Sequence, residues 1–307
     1  MKAVRILNFN DTPAIHETPI PEIGPDQVLV RVHAAALNPL DVLVASGIAR
    51  QFFELDPPIT LGTDFAGTID RVGSAVSQWQ AGDRVIAWSD ASASGGLAHY
   101  AAIAADACVE LPAELTSAEG AAIPTAATTA WHALFSSAKL VAGETVLIHA
   151  GAGGVGCFAV QFAHKAGARV IATASGDGMA LARGLDADEV IDYRTHDFTS
   201  LVTDVDVVLD LVGGETQMRS YQVLRPGGRL VSTAMPPDQA QAAARGITAT
   251  MFYAKPYASG LAGVVDTIVA TGVKVMLDRE VPFDDYAEAW LRLKSRQARG
   301  KIVVRLS

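Results

Sequence analysis

A chain of 307 residues exceeds what one hydrophobic core ordinarily organises, so two domains are expected. Half of the residues are apolar, only 7% are aromatic, and the formal charge is −9 with no Lys/Arg stripe, which excludes nucleic acid as the main ligand. Two cysteines without a C-x-x-C partner (Cys108, Cys157) exclude a disulfide framework and a four-thiolate zinc site, and apolar runs well short of roughly 20 residues exclude a membrane span.

The opening segment is broken by Arg5, Asn8, Asn10 and Asp11, so no signal peptide is expected and the reducing cytoplasm is the expected location. The first third reads as strands: KAVRIL, QVLVRVHAAAL from Gln27, FAGTIDRVG from Phe65, DRVIAW from Asp83 and LAHYAAIA from Leu97. Gly24-Pro25, Gly73, Gly82 and Gly95-Gly96 punctuate them, and the ASASGG patch from Ala91 reads as a mobile loop. With no helix expected between them, these strands predict a small antiparallel or barrel-like domain. Asp41, Asp64 and Asp83 lie beside glycines or prolines and are read as turn residues bonding the local backbone.

The texture changes after Leu111-Pro112. LTSAEGAAIPTAATTAWHALFS reads as helix, with Thr116 or Ser117 as N-cap, and the domain boundary is placed there. From Glu144 the pattern alternates: TVLIHA, a helix through Phe158 to Ala166, RVIATA, a short helix around Met179 to Arg183, and EVIDY. VDVVLDLVGG, a helix from Thr216 to Leu224, a Pro226-Gly227-Gly228 turn, RLVSTA and ITATMFYA follow. This βαβ rhythm predicts a doubly wound parallel sheet. The tail offers helices from about Gly260 to Thr271 and from Asp284 to Gln297, then a strand KIVVRL that returns to the first domain. His33, His99, His132 and His149 sit in apolar segments without metal-ligand spacing and are read as packed or hydrogen-bonded.

Within VLIHAGAGGVGCFAVQFA, Gly151, Gly153 and Gly156 form G-x-G-x-x-G between an apolar strand and a helix of apolar 3.6 periodicity. Gly151 permits the tight turn, Gly153 lets the backbone approach a pyrophosphate, and Gly156 lets helix and strand pack closely. The helix N-terminus then meets the phosphates. The next strand ends Thr173, Ala174, Ser175, Gly176, with no carboxylate at the tip, where an NAD-specific fold would carry one for the ribose 2′-hydroxyl. A carboxylate would repel a 2′-phosphate and Ser175 leaves room for one, which points to NADP(H); Arg183, Arg194 and Arg296 are candidate countercharges.

These residues, with NPLD at Asn38 to Asp41, LGTDFAGTIDRVG at Leu61 to Gly73, AGDRVIA at Ala81 to Ala87, LRPGGRLVS and RGKIVVRL, carry a resemblance over nearly the whole chain. The sequence resembles the medium-chain dehydrogenase/reductase superfamily and, within it, the zinc-independent quinone oxidoreductase branch that includes zeta-crystallin. The resemblance implies a β-rich GroES-like catalytic domain (1–118 with 271–307) and a Rossmann cofactor domain (119–270). At the metal-binding motifs of the zinc alcohol dehydrogenases this chain has Asn38, Thr63-Asp64 and Thr125, poor zinc ligands, and the interval Trp88 to Leu97 lacks the cysteines of a structural zinc lobe. No metal is expected, and chemistry narrows to acceptors that take hydride without a Lewis acid.

The resemblance further implies that Asn38 and Thr129 act at the reacting centre. Asn38 would donate to a substrate carbonyl or hold the nicotinamide ribose, and Thr129 would lie near the nicotinamide carboxamide. Gly154, Val155, Val212 and Ser232 join the three motif glycines in the cofactor site, with Ser175, Tyr193 and Arg296 on the adenosine side. Gly178 stands where relatives use a lysine, and Leu43 where some carry a tyrosine, which leaves solvent or a ribose hydroxyl as proton source. The expected activity is NADPH-dependent reduction of a small electron-poor substrate, a quinone or an activated carbonyl compound, by a homodimer. Reduction of an alkenal or alkenone double bond, or a weakly catalytic NADPH-binding sensor or scaffold, are the alternatives.

Overall fold

The structure is a computed structural model that describes residues 1–93, 95–256 and 258–306, with side chains omitted at 258 and 259. In chain order, β1 (Lys2–Ile6), β2 (Ala14–Glu17) and β3 (Gln27–Ala36) precede α1 (Pro39–Ala45). Then come β4 (Ile59–Thr60), β5 (Asp64–Val72), β6 (Arg84–Trp88), β7 (Tyr100–Ala104) and β8 (Cys108–Glu110). Helices α2 (Ser117–Ala122) and α3 (Pro124–Trp131) lead into an alternation of β9 (Thr145–Ile148), α4 (Gly154–Lys165), β10 (Arg169–Ala174), α5 (Asp177–Gly184) and β11 (Glu189–Asp192). It continues with β12 (Val205–Asp210), α6 (Gly214–Ser220), β13 (Leu224–Ser232), α7 (Gln239–Ala244) and β14 (Thr248–Met251). The tail comprises α8 (Ala258–Thr271), β15 (Leu277–Pro282), α9 (Tyr286–Lys294) and β16 (Lys301–Arg305).

The chain divides into two compact units. The first comprises Met1–Thr125, Lys255–Val269 and Leu277–Ser307; the second comprises Ala126–Ala254 and Ala270–Met276. Among the described residues, the first unit holds a seven-stranded sheet running β15-β16-β3-β5-β6-β8, with β7 paired to β3, and a three-stranded sheet β2-β1-β4. All pairings are antiparallel except that of β15 with β16. Its core gathers Val30, Val32, Phe65 and Ile69 from the long strands with Tyr286, Trp290, Ile302 and Val304 from the tail, so the tail completes this unit. The second unit is a six-stranded sheet β11-β10-β9-β12-β13-β14, parallel throughout. Its central strands are buried on both faces, which suits runs such as Val146–Leu147–Ile148 and Val207–Val208–Leu209.

Several expectations are corrected. α1 does intervene in the first third: the buried Asp41 accepts from the Asn38 N–H at 2.7 Å and Pro39 opens the helix, a start that hydrophobic periodicity does not show. The single helix expected from Leu115 to Ser136 is three pieces, because Pro124 restarts it after a Thr116–Glu119 capping box and the last turns, His132–Ser137, widen to π geometry. The helix expected to run to Leu224 stops at Ser220, and Pro226-Gly227-Gly228 lies within β13 as a kink with Gly227 at φ +75°. The patch from Ala91 is anchored at its glycines: Gly96 N–H donates to Gly62 O at 2.7 Å, and a Cβ on Gly95 would sit 2.2 Å from the Leu61 carbonyl. Ser94 of that patch lies outside the described residues.

Burial pushes both thiols, Cys108 and Cys157, up to about 12. Both are therefore expected to resist Ellman's reagent at pH 8 in the folded protein and to react, two per chain, in guanidinium chloride. Fast labelling of the native protein would contradict the packing described here.

Candidate active site

The β9–α4 turn is built by its glycines. A Cβ on Gly156 would fall 2.1 Å from the Ala150 carbonyl, and one on Gly151 would fall 2.7 Å from the Ala172 Cβ, so helix and strands close on these positions. Gly153 differs, since its nearest contact is Ala150 O at 3.2 Å. Gly153 is the N-cap of α4 and supplies no side-chain cap, so the first-turn N–H groups of Gly154, Val155 and Gly156 have no side chain to receive them. A 12-residue helix opening this way suits an anionic group, and the turn fits a dinucleotide's pyrophosphate.

At the end of β10 the Ser175 hydroxyl donates to Tyr193 Oη at 2.9 Å, so two residues 18 positions apart in the chain form one polar tip. Tyr193 is 56% exposed. Gly178, in the first turn of α5, lies over the glycine loop: a Cβ there would meet Ala152 Cβ at 3.0 Å. Val212, at the end of β12, is 51% exposed, and its N–H donates to Asp210. Ser232 has no exposed surface, and its hydroxyl donates to Asp210 while accepting from Ala234 and Met235 N–H, which fixes the turn after β13. Arg296 lies past α9 and belongs to the first unit. Thr129 is buried on α3; among the described residues no hydrogen bond runs from its hydroxyl back along the helix.

Sequence reasoning missed Asp210. This wholly buried carboxylate receives four donors: Val212 and Gly213 N–H on Oδ1, Gln217 Nε2 and the Ser232 hydroxyl on Oδ2. It ties the ends of β12 and β13 to α6; an Asp closing an apolar strand ahead of Gly-Gly was the available signal. His149, at the end of β9, is also internal, bridging Thr173 Oγ1 at 3.1 Å and Ser220 Oγ at 2.9 Å. Ser220 spends its proton on Thr216 O, so the His149 bond to Ser220 is donated by Nε2–H. Burial drives its pKa down to about 4, against a smaller upward pull from Asp210.

In the first unit, the residues at the expected metal-motif positions converge on Asp64 and on the ammonium of Lys301. Lys301, on β16 and 5% exposed, donates to Leu37 O at 2.9 Å and to Asn38 Oδ1 at 2.5 Å, and lies 3.9 Å from Asp64 Oδ2. Asn38 Nδ2 donates to Thr63 Oγ1 at 3.4 Å, and Thr63 in turn donates to Asp64 Oδ1. Thr125 gives Asp64 both its N–H at 3.0 Å and its hydroxyl at 2.6 Å. Asp64 is thus a fully buried strand residue in an ionic network, and its reading as a turn residue is corrected. Asp41 and Asp83 do bond nearby backbone, at Asn38, Gly62 and Gln80. Lys301 went unremarked although it stands in the RGKIVVRL motif, because a lysine opening a strand normally reads as solvated. Among the described residues no group of three or more His, Cys, Asp and Glu side chains is placed to hold a metal.

The buried carboxyl of Asp41 is raised to about 6, chiefly by desolvation, against the lowering pull of two backbone N–H groups. The signs oppose. Asp41 favours the folded state below its unfolded value of 3.8 and loses that contribution as pH rises through about 6; His149 contributes fully above 6.5 and loses it as pH falls through about 4. Melting temperatures between pH 4 and 6.5 are therefore expected to rise with pH more steeply in Asp41→Asn than in the parent, and less steeply in His149→Gln. Parallel curves for all three would refute the assignment.

Residues 24–113 match the family model described as alcohol dehydrogenase GroES-like domain, and residues 185–304 the one described as zinc-binding dehydrogenase. A relative from Spinacia oleracea, "Quinone-oxidoreductase homolog, chloroplastic", is 32% identical over 303 residues, covering 94% of this chain and 92% of the relative. The chain belongs to the medium-chain dehydrogenase/reductase superfamily, in its quinone oxidoreductase-like branch. It shares the fold of Escherichia coli quinone oxidoreductase, solved as a complex with NADPH (TM-score 0.90, 25% identity, all of both chains), and of CurK enoyl reductase (TM-score 0.90, 28% identity, all of this chain and 99% of the other). As an oxidoreductase of this branch it has the expected two-part architecture, a GroES-like sheet domain and a Rossmann-like parallel sheet. No described helix is long and apolar enough to cross a membrane. The expected cytoplasmic location is not general among relatives, since the Spinacia protein is described as chloroplastic.

Proposed function

We propose that the chain is an NADPH-dependent reductase of quinones or other activated carbonyl compounds, working by direct hydride transfer without zinc. The observation that carries this reading is the pair of polar centres: a glycine turn and a carboxylate-free Ser175–Tyr193 tip suited to a 2′-phosphorylated dinucleotide, and a Lys301 ammonium paired with Asp64 among the residues at the metal-motif positions. Membership of the quinone oxidoreductase branch and the NADPH complex of the Escherichia coli protein support it.

In this reading the first-turn N–H groups of Gly154, Val155 and Gly156 hold the pyrophosphate, Ser175 and Tyr193 receive the adenosine side with Arg296 as a further countercharge, and Val212 and Thr129 flank the nicotinamide. NADPH supplies the hydride. Asn38 donates its carboxamide N–H to the acceptor's carbonyl oxygen as charge develops there. The segment after Asn38 exposes Leu43, Ile48 and Phe52, an apolar surface suited to a flat, poorly hydrated acceptor. With Leu43 in place of a tyrosine, solvent or a ribose hydroxyl protonates the product.

Fluorescence titration is expected to show tighter binding of NADPH than of NADH. Addition of 9,10-phenanthrenequinone should then oxidise NADPH in a sample free of stoichiometric zinc. Asn38→Ala should lower kcat at least tenfold while changing NADPH affinity less than twofold. Indifference to both nucleotides, or one zinc per chain, would refute the reading. Reduction of an alkenone double bond is the second reading, favoured by the shared fold with CurK enoyl reductase, and product analysis on an enone panel separates the two.

A further inference from the structure

We propose that Lys301 is a positioning residue whose ammonium holds Asn38 Oδ1 and thereby makes the amide nitrogen of Asn38 the end offered to the substrate. The proposal rests on the role given to Asn38 above and adds what sets that side chain's orientation.

A carboxamide has an accepting end and a donating end, which differ in chemistry while nearly identical in shape. An ammonium only donates, so the 2.5 Å contact between Lys301 Nζ and Asn38 requires the oxygen at that end. A second donor hydrogen of Lys301 is committed to Leu37 O at 2.9 Å, the carbonyl immediately before Asn38, so the lysine grips both the backbone and the side chain at one point. The third side of the ammonium faces Asp64 Oδ2 at 3.9 Å.

The other end of the carboxamide is set by the same circuit. Thr63 has one hydroxyl proton and donates it to Asp64 Oδ1, so towards Asn38 it can only accept, and it meets Nδ2 at 3.4 Å. Asp64 is held in turn by the Thr125 N–H and hydroxyl. Asn38, Thr63, Asp64 and Lys301 therefore close a ring in which each polarity dictates the next. Its members come from the residue before α1, from β5 and its approach, and from β16, up to 263 residues apart in the chain. The Nδ2 group keeps one hydrogen beyond the Thr63 contact, which is what a hydrogen bond to a carbonyl oxygen needs.

A buried ammonium is costly to keep, and desolvation pulls the pKa of Lys301 down while Asp64 and Asp41 pull it up. A core that needed only packing would be served by Met or Leu at this position. The arrangement is explained if the charge serves to strengthen and direct the Asn38 hydrogen bond.

The test is a double-mutant cycle on the full chain with NADPH and 9,10-phenanthrenequinone. Lys301→Met is expected to lower kcat at least tenfold with NADPH affinity within twofold, and Asn38→Ala is expected to cost less than a further twofold in the Lys301→Met background. Lys301→Met alone leaves Asp64 unpaired and can fail to fold; Asp64→Asn/Lys301→Met removes both charges, and is expected to melt near the parent yet keep the low kcat. A readout independent of turnover is the Asn38 side-chain amide pair in 15N–1H spectra, assigned by its loss in Asn38→Ala. It should shift in Asp64→Asn/Lys301→Met and stay in place in the surface control Lys165→Met. Multiplicative losses in the cycle, parent-like kcat in the charge-free double variant, or an unmoved amide signal would overturn the role of Lys301. A parent-like kcat in Asn38→Ala alone would instead remove the role of Asn38 on which it rests.

Discussion

Gly156→Ala is expected to lower the melting temperature by on the order of 10 °C and to abolish NADPH binding, whereas Gly153→Ala is expected to fold almost normally and lose only cofactor affinity. The two glycines belong to one motif but face different obstacles. The new methyl at 156 would stand 2.1 Å from Ala150 O and 2.8 Å from Gly151 Cα, both backbone atoms that cannot rotate away. α4 would have to back off from β9, a strain of about 3 kcal/mol or more, and about 3 kcal/mol corresponds to roughly 6–12 °C in a unit of this size. At 153 the nearest obstacle among the described residues is Ala150 O at 3.2 Å, a contact that a few tenths of an ångström relieve. The added methyl there narrows the approach to the uncapped first-turn N–H groups, and NADPH affinity should fall at least tenfold. Thermal melts with and without NADPH measure both effects; equal melting temperatures for the two variants would contradict the packing of the turn.

Asp64→Ala is the second large effect. Removing this carboxylate strands the Lys301 ammonium in the core and takes the acceptor from the Thr125 N–H, the Thr125 hydroxyl and the Thr63 hydroxyl. Breaking a buried pair from one side costs about 3–5 kcal/mol, because the surviving charge remains desolvated. Loss of cooperative unfolding in the first unit, or a melting temperature lower by on the order of 10 °C, is therefore expected. A variant as stable as the parent within about 0.5 kcal/mol would show that the network carries no such load. Asp64→Asn, which keeps the shape and two donor-acceptor contacts, should fall between.

Much of the second unit was legible in the sequence. Runs such as TVLIHA, RVIATA and VDVVLDL can form only strands buried on both faces, and the glycine spacing between the first of them and an apolar helix marks the nucleotide turn. Ser175 was read from the strand tip and Tyr193 from the resemblance, and the parallel register of β10 with β11 brings them together. Breaks were harder to see: Pro124 divides an apparently continuous helix, and α1 is too short for its periodicity to register. Asp210 and Lys301 escaped for a common reason, since charged side chains are read as solvated unless a partner is visible nearby in the chain.

Local chemistry determined most of the element types, the glycine turn and the missing carboxylate at position 175, because each depends on a residue and its immediate neighbours, while the resemblance singled out the poor metal ligands at Asn38, Thr63 and Thr125. Only the tertiary structure decided that those last residues join a network held by a buried ammonium, Asn38 directly and the two threonines through Asp64. Lys301 lies 263 residues from Asn38, and β16 must first pair with β3, Val303 opposite Ala36, before the two meet. Pairing between distant strands sets which charges share the low-dielectric interior, and there a single misplaced charge outweighs many local preferences.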